Sequence, residues 1–181
     1  MLILILGIAL WAGFHGLKRV APEQRKNLGN YGQAIVATGI LSGLVLMILG
    51  YRMTYPVEIW SPPDIMVHFN NFLMVLAVSL LAMSFTRGRM RARMRHPMLT
   101  AVKTWAIAHL LVNGDLASIV LFGSMFSWAM WSVVRINRAE SWTRPEAIDR
   151  GRDWMYLGLL VGLFAIMTGV HLLLGVAPFD V

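Results

Sequence analysis

Charged residues divide this chain into blocks. Between them run stretches free of Asp, Glu, Lys and Arg at 1–17, 27–51, 65–86, 116–134 and 154–179. A helix rises 1.5 Å per residue, so about 20 apolar residues cross the roughly 30 Å hydrocarbon core of a bilayer. Four of the stretches reach that length, and the first falls just short. A sixth apolar segment, 97–112, is interrupted only by Lys103. The long stem of a lysine can carry its ammonium toward an interface. The pattern predicts an all-α integral membrane bundle of about six transmembrane helices.

The punctuation agrees. Pro56, Pro62 and Pro63 interrupt helix between the second and third spans. Asn113-Gly114-Asp115 reads as a tight turn, with Asp115 placed to cap the fifth span. Pro97 suits a first helical position and starts the fourth span. Trp60 on one side, and Trp131, Trp142 and Trp154 on the other, fit interfacial belts. Glycines recur at one spacing, seven, four and seven residues. They are Gly32, Gly39, Gly43 and Gly50 in the second span, and Gly151, Gly158, Gly162 and Gly169 in and before the sixth. At 100° per residue each set stays on one narrow face, which predicts close helix packing in lipid or a flat wall against a planar cofactor.

Composition sharpens this picture. The chain is 57% hydrophobic and 14% charged, where a soluble domain carries about 25% charged residues. With no cysteine, thiolate ligation, disulfides and Cys-based redox motifs are excluded. The first apolar run has no basic lead-in and no A-x-A site after it, so it reads as an uncleaved span. Residues 1–181 read as a single domain.

A net charge of +7 is compatible with nucleic acid, but its distribution points to the bilayer. Basic residues fall between spans one and two (Lys18, Arg19, Arg25, Lys26), around the start of span four (Arg87 to Arg95, and Lys103), and between spans five and six (Arg135, Arg138, Arg144, Arg150, Arg152). The opposite connections hold Glu58, Asp64, Asp115 and Asp180, with Arg52 the one cation on that side. Positive charge marks cytoplasmic loops, so both termini are expected outside. The expected contact is anionic lipid, with no nucleic acid.

Five histidines remain as candidate chemistry: His15, His68, His96, His109 and His171. His96 and His109 are 13 residues apart, about 140° around a helix, and cannot share one face. His96 joins the arginine-rich interface. His109 lies within hydrocarbon, where an ionisable side chain is a functional candidate. No H-E-x-x-H and no i, i+4 histidine pair occurs, so a helical zinc site has no support. Two histidines from different spans closing on haem iron need only what is present.

The stretch "RHPMLTAVKTWAIAHLLVNGDLASIVLFGS" (95–124) closely resembles the characteristic region of the NnrU family. "WAGFHGL" (11–17) and "WSPPDIMVHF" (60–69) resemble its other typical stretches, in the expected order, so the likeness covers nearly the whole chain. It implies a multi-pass protein of the bacterial inner (cytoplasmic) membrane, associated with nitrite and nitric oxide reduction in denitrifiers. A nitrogen-oxide reductase complex is the implied partner. The family is related to the plant and cyanobacterial 15-cis-zeta-carotene isomerase, a membrane enzyme that holds haem b between histidine axial ligands. By that resemblance the ligands fall on His15 and His109, and the "RHP" histidine on His96. The isomerase has a cysteine just before its second ligand, where this chain has Ile107 and Ala108. Its extra N-terminal region has no counterpart here. The likeness therefore carries haem binding further than carotenoid isomerisation.

Depth sets a condition on the ligand pair. His15 lies near the basic end of its span and His109 nearer the middle or the opposite half. A strongly tilted ring would join them; otherwise His68 or His171 pairs with His109. Arg52, alone among cations on its side, has either a haem propionate or a lipid headgroup as its expected partner. The leading expectation is a haem-b-binding component serving redox, sensing or maturation in nitrogen-oxide respiration. The alternatives are an isomerase of a lipophilic polyene and a cofactor-free membrane scaffold.

Overall fold

A computed structural model describes residues 1–146 and 151–176, for 151–153 the backbone alone. Arg150 and Asp180, and the surroundings of Gly151 and Arg152, lie outside the described residues. The helices are α1 (Leu2–Val20), α2 (Pro22–Asn27), α3 (Gly32–Met53), α4 (Met66–Ser84), α5 (Arg89–Ala92), α6 (Pro97–Val112), α7 (Leu116–Ala139) and α8 (Gly151–Leu173). Five of them, α1, α3, α4, α7 and α8, are long and apolar enough to cross a membrane. The sixth expected span, α6, has 16 residues, so it is about 24 Å long and shorter than a typical hydrocarbon core.

Local chemistry sets several boundaries. Pro97 opens α6, where the missing N–H of proline costs no helical hydrogen bond. Asp115 caps α7 by accepting from the Ser118 amide at 3.0 Å. The turn before it packs on the 57–60 segment: the amides of Ile59 and Trp60 donate to the Gly114 carbonyl, and Leu116 N–H donates to Val57 O. Gly114 has no room for a side chain, because a Cβ there would overlap the Trp60 carbonyl.

Packing runs in the order α3, α1, α7, α6, α4, α8, with α3 also touching α7. The neighbours α1 and α3 run antiparallel, as do α6 and α7, whereas α1 and α7 run parallel and finish at the same end. One end of the bundle gathers the basic residues, since Arg19 pairs with Glu140 and Arg95 donates to the Glu140 carbonyl. The other end gathers Glu58, Asp115 and the start of α4. There Arg52 Nη1 donates to the Leu174 carbonyl at 3.1 Å, tying the end of α8 to that of α3.

The burial pattern is that of a protein solvated by lipid. Leu2, Ile5, Leu41, Val45, Phe72, Val161 and Ile166 are exposed, while small residues fill the interior: Ala77, Ala82, Ala101, Ala106, Ala108, Ala117 and Ala129. Where lipid tails replace water, helices gain little by hiding apolar surface and instead pack through close approach. The α1–α3 seam shows this most clearly. A Cβ on Gly43 would sit 2.6 Å from Trp11 N, one on Gly50 2.3 Å from Leu4 N, and one on Gly7 2.5 Å from Met47 N. The matching face of α8 is different: among the described residues a Cβ on Gly158, Gly162 or Gly169 would meet nothing within 4 Å. The expectation of close packing through glycine therefore holds for α3 and not for α8. The buried face of α8 instead includes Tyr156, packed on Leu80, Met83 and Ala101.

Candidate functional site

His109 lies on α6, one turn before its end, with its ring among aromatic side chains. The Phe122 ring of α7 is 4.6 Å away between centroids and the Trp105 ring 5.2 Å away. The nearest other histidine is His171 on α8, 6.5 Å away with the rings 38° apart. Both imidazoles donate from Nδ1 to the carbonyl one turn earlier, His109 to Trp105 at 3.0 Å and His171 to Met167 at 2.7 Å. A carbonyl can only accept, so Nδ1 carries the proton and Nε2 keeps its lone pair in the neutral ring. A backbone carbonyl fixing the distal nitrogen is the usual outer support of a metal-bound histidine.

Two imidazoles bound on opposite sides of one metal ion, at about 2.0 Å each, have centroids roughly 6 Å apart. The His109–His171 separation matches that span. Around them stand an apolar aromatic wall (Trp105, Phe122) and, at the same end of the bundle, the Arg52 guanidinium. Arg52 is exposed and uses one N–H on Leu174, leaving its other donors for a carboxylate. Neutral imidazole nitrogens, an apolar aromatic wall and a nearby guanidinium are residue types that would hold haem b. The residues present fit the group.

His15 occupies a separate aromatic box. Its ring lies 3.9 Å from Trp11 and 5.3 Å from Trp128, and its Nδ1 donates to the Trp11 carbonyl. The Trp128 indole N–H is buried without a hydrogen-bond partner among the described residues. Phe122 and Trp128 are six residues apart on α7, about 9 Å along its axis. The rings of His109 and His15 therefore sit at different levels, and the fold brings His109 to His171 and not to His15. The His68 side chain is exposed at the start of α4, without a hydrogen bond or ring contact among the described residues. His96 Nε2 donates to Asn137 Oδ1 at 2.8 Å at the basic end, as an interfacial residue does. Among the described residues no group of three or more His, Asp or Glu side chains could hold a metal ion. A groove of about 670 Å³ between α1 and α3 is walled by residues such as Leu10, Phe14, Gly39 and Ser42, with no histidine among them.

One feature beside the histidines has no sequence pattern to announce it. Tyr51 of α3 shares a 2.8 Å hydrogen bond with Ser118, and Ser118 Oγ donates to Asp115. Since the Ser118 proton goes to the carboxylate, the phenol donates to Ser118. The edge of the Tyr51 ring meets Phe122 at 6.3 Å, so this chain leads from the loop at the Asp115 end to the wall of the His109 pocket. The Asp115–Ser118 part follows from i, i+3 spacing at a helix start; Tyr51 joins it only through tertiary packing.

Neither a curated protein nor a solved structure matches the chain. The family model described as NnrU protein matches residues 3–178, nearly the whole length. The likeness first carried by the 11–17, 60–69 and 95–124 stretches thus extends from α1 through α8, and the chain belongs to the NnrU family.

Proposed function

We propose that this protein binds haem b within a bundle that spans the bacterial inner membrane, and that it serves nitrite and nitric oxide reduction through redox, sensing or maturation. The observation that carries the reading is the pair His109–His171. The two imidazole centroids are 6.5 Å apart, each ring with Nδ1–H engaged by a backbone carbonyl and with Nε2 making no hydrogen bond among the described residues. His109 is the ligand common to this geometry and to the family resemblance. His171 is the second ligand, and the resemblance-implied His15 is the competing choice. When bound, haem supplies an iron centre that stores one electron or takes a small gaseous ligand. The chain's own part would be to hold His109 and His171 in fixed tautomers, to exclude water with Trp105 and Phe122, and to offer the Arg52 guanidinium to a propionate.

In this reading α6 is a sixth crossing despite its length, with the arginine-rich end in the cytoplasm and both termini outside. The segregation of basic residues to one end of the bundle supports that orientation. A nitrogen-oxide reductase complex is the proposed partner.

The test is an absorption spectrum of detergent-purified protein expressed with ample haem precursor, oxidised and then reduced. We expect a Soret band with a six-coordinate, low-spin pattern. His109→Ala removes it, His171→Ala converts it to a five-coordinate form, and His15→Ala leaves it unchanged. Loss with His15→Ala and not with His171→Ala assigns the ligands as the resemblance does. No Soret band in any preparation overturns haem binding and leaves a scaffold or a cofactor-free polyene enzyme, which turnover of a polyene would separate.

A further inference from the structure

At the basic end of the bundle, α1 and α7 finish side by side and enclose a groove of about 430 Å³ lined by Lys18, Arg19, Arg135, Arg138, Ala139 and Glu140. We propose that this groove is a binding site for a phosphate-bearing anion.

Charge arithmetic is the first argument. Four cations face one carboxylate. The C-termini of α1 and α7 add about −0.5 each through their helix dipoles. The groove is left with roughly two positive charges uncompensated, in a corner also held by the Arg95 guanidinium on the Ile136 and Glu140 carbonyls. Topology alone asks only that cations lie on this side of the membrane; it does not ask them to converge.

Preorganisation is the second argument. Arg135 Nη2 donates to the Arg19 carbonyl at 3.3 Å, capping a terminal carbonyl of α1, and its guanidinium lies 5.9 Å from the centre of the Trp131 ring. Arg19 is fixed in turn by Glu140 at 3.4 Å. Two guanidinium planes are thereby held in place with donors to spare. Arg138, three residues after Arg135 on the same helix face, and Lys18 have no hydrogen bond or ion pair among the described residues and line the same groove. Fixed guanidinium forks plus free cations match the tetrahedral oxygens of a phosphate better than a planar carboxylate partner would use them. The phosphate can come from the headgroup of an anionic phospholipid of the adjoining leaflet or from free phosphate in the aqueous phase.

Two probes separate these sources. Native mass spectrometry of the full chain, after equilibration with equal amounts of phosphatidylglycerol and phosphatidylcholine, reads lipid retention. Calorimetric titration of delipidated protein in a neutral detergent with inorganic phosphate reads free-anion binding. We expect selective retention of phosphatidylglycerol, weakened about tenfold in Arg135→Gln/Arg138→Gln and by no more than about threefold in the charge-matched Arg89→Gln/Arg93→Gln. Glu140→Gln frees Arg19 and should strengthen binding. Arg138→Gln alone removes no contact within the fold and keeps the comparison available if the double variant folds poorly. Phosphate binding with the same variant dependence, and no lipid selectivity, assigns the site to the free anion. The proposal is overturned if neither probe binds more tightly to the parent than to the Arg135/Arg138 and Arg138 variants, or if the control pair loses as much. None of these readings depends on haem.

Discussion

Helices α3 and α8 carry glycines at the same spacing and meet opposite fates. On α3, Gly43 and Gly50 lie so close to the α1 backbone that one added carbon would overlap it. On α8, Gly158, Gly162 and Gly169 meet no neighbour among the described residues, and contact with the bundle comes from other residues, Tyr156 at one end and His171 at the other. A glycine period states that a helix has a smooth face. It does not state that a backbone will come to it, because that depends on which helix the fold sets alongside. The difference also divides the molecule by how its helices are held. The α1–α3 pair is a close-packed seam, whereas α8, which carries one of the two candidate ligands, is held mainly along α4 and by the Arg52–Leu174 hydrogen bond at its end.

Substitutions can break this comparison. The largest effect is expected for Gly50→Ala and Gly43→Ala, each forcing α1 and α3 apart at a cost of about 2–3 kcal/mol. Thermal unfolding in detergent measures it, and changes below about 0.5 kcal/mol at both positions would mean the seam is not close-packed. Next comes Asp115→Ala, which removes the cap of α7 and the acceptor of the Ser118 hydroxyl. The same assay should show a loss of about 1–2 kcal/mol. Arg52→Gln sharpens the contrast from the other side. It should leave the unfolding midpoint nearly unchanged and speed hydrogen exchange several-fold in residues 170–174, where the strap to α8 is lost. Slower or unaltered exchange there would mean that α8 is held by its packing alone. The smallest effect belongs to Gly162→Ala. With no neighbour to displace and better helix propensity, it should be neutral or stabilising by up to about 1 kcal/mol. A loss as large as that of Gly50→Ala would show that the α8 face is covered.

Much of the candidate site was legible one helix at a time. His109 stood out because an imidazole in an apolar helix is costly without a purpose, and its local surroundings on α6, Trp105 included, follow from i, i+4 spacing. The Asp115 cap and the Pro97 start were equally local. The partner of His109 was not legible in the same way. Depth along a span admitted His68 and His171 and made His15 difficult; only the position of α8 beside α6 selects His171 as the neighbour. Tyr51 gave no signal, since a tyrosine at the end of an apolar run reads as an interfacial anchor until Ser118 of another helix is found against its hydroxyl.

Sequence by itself determined the helices, their approximate ends, the segregation of charge and the membership of a family. Those properties depend on hydrogen bonds closed within one segment and on the transfer of each side chain into lipid or water, quantities that add up residue by residue. Tertiary structure alone decided which glycine face meets a backbone, which two histidine rings become neighbours, and that the cations at the ends of α1 and α7 share a groove. In lipid no hydrophobic gain favours one apolar face over another. The order of the helices therefore rests on close approach and on a few polar contacts between segments far apart in the chain, and no single segment carries that information.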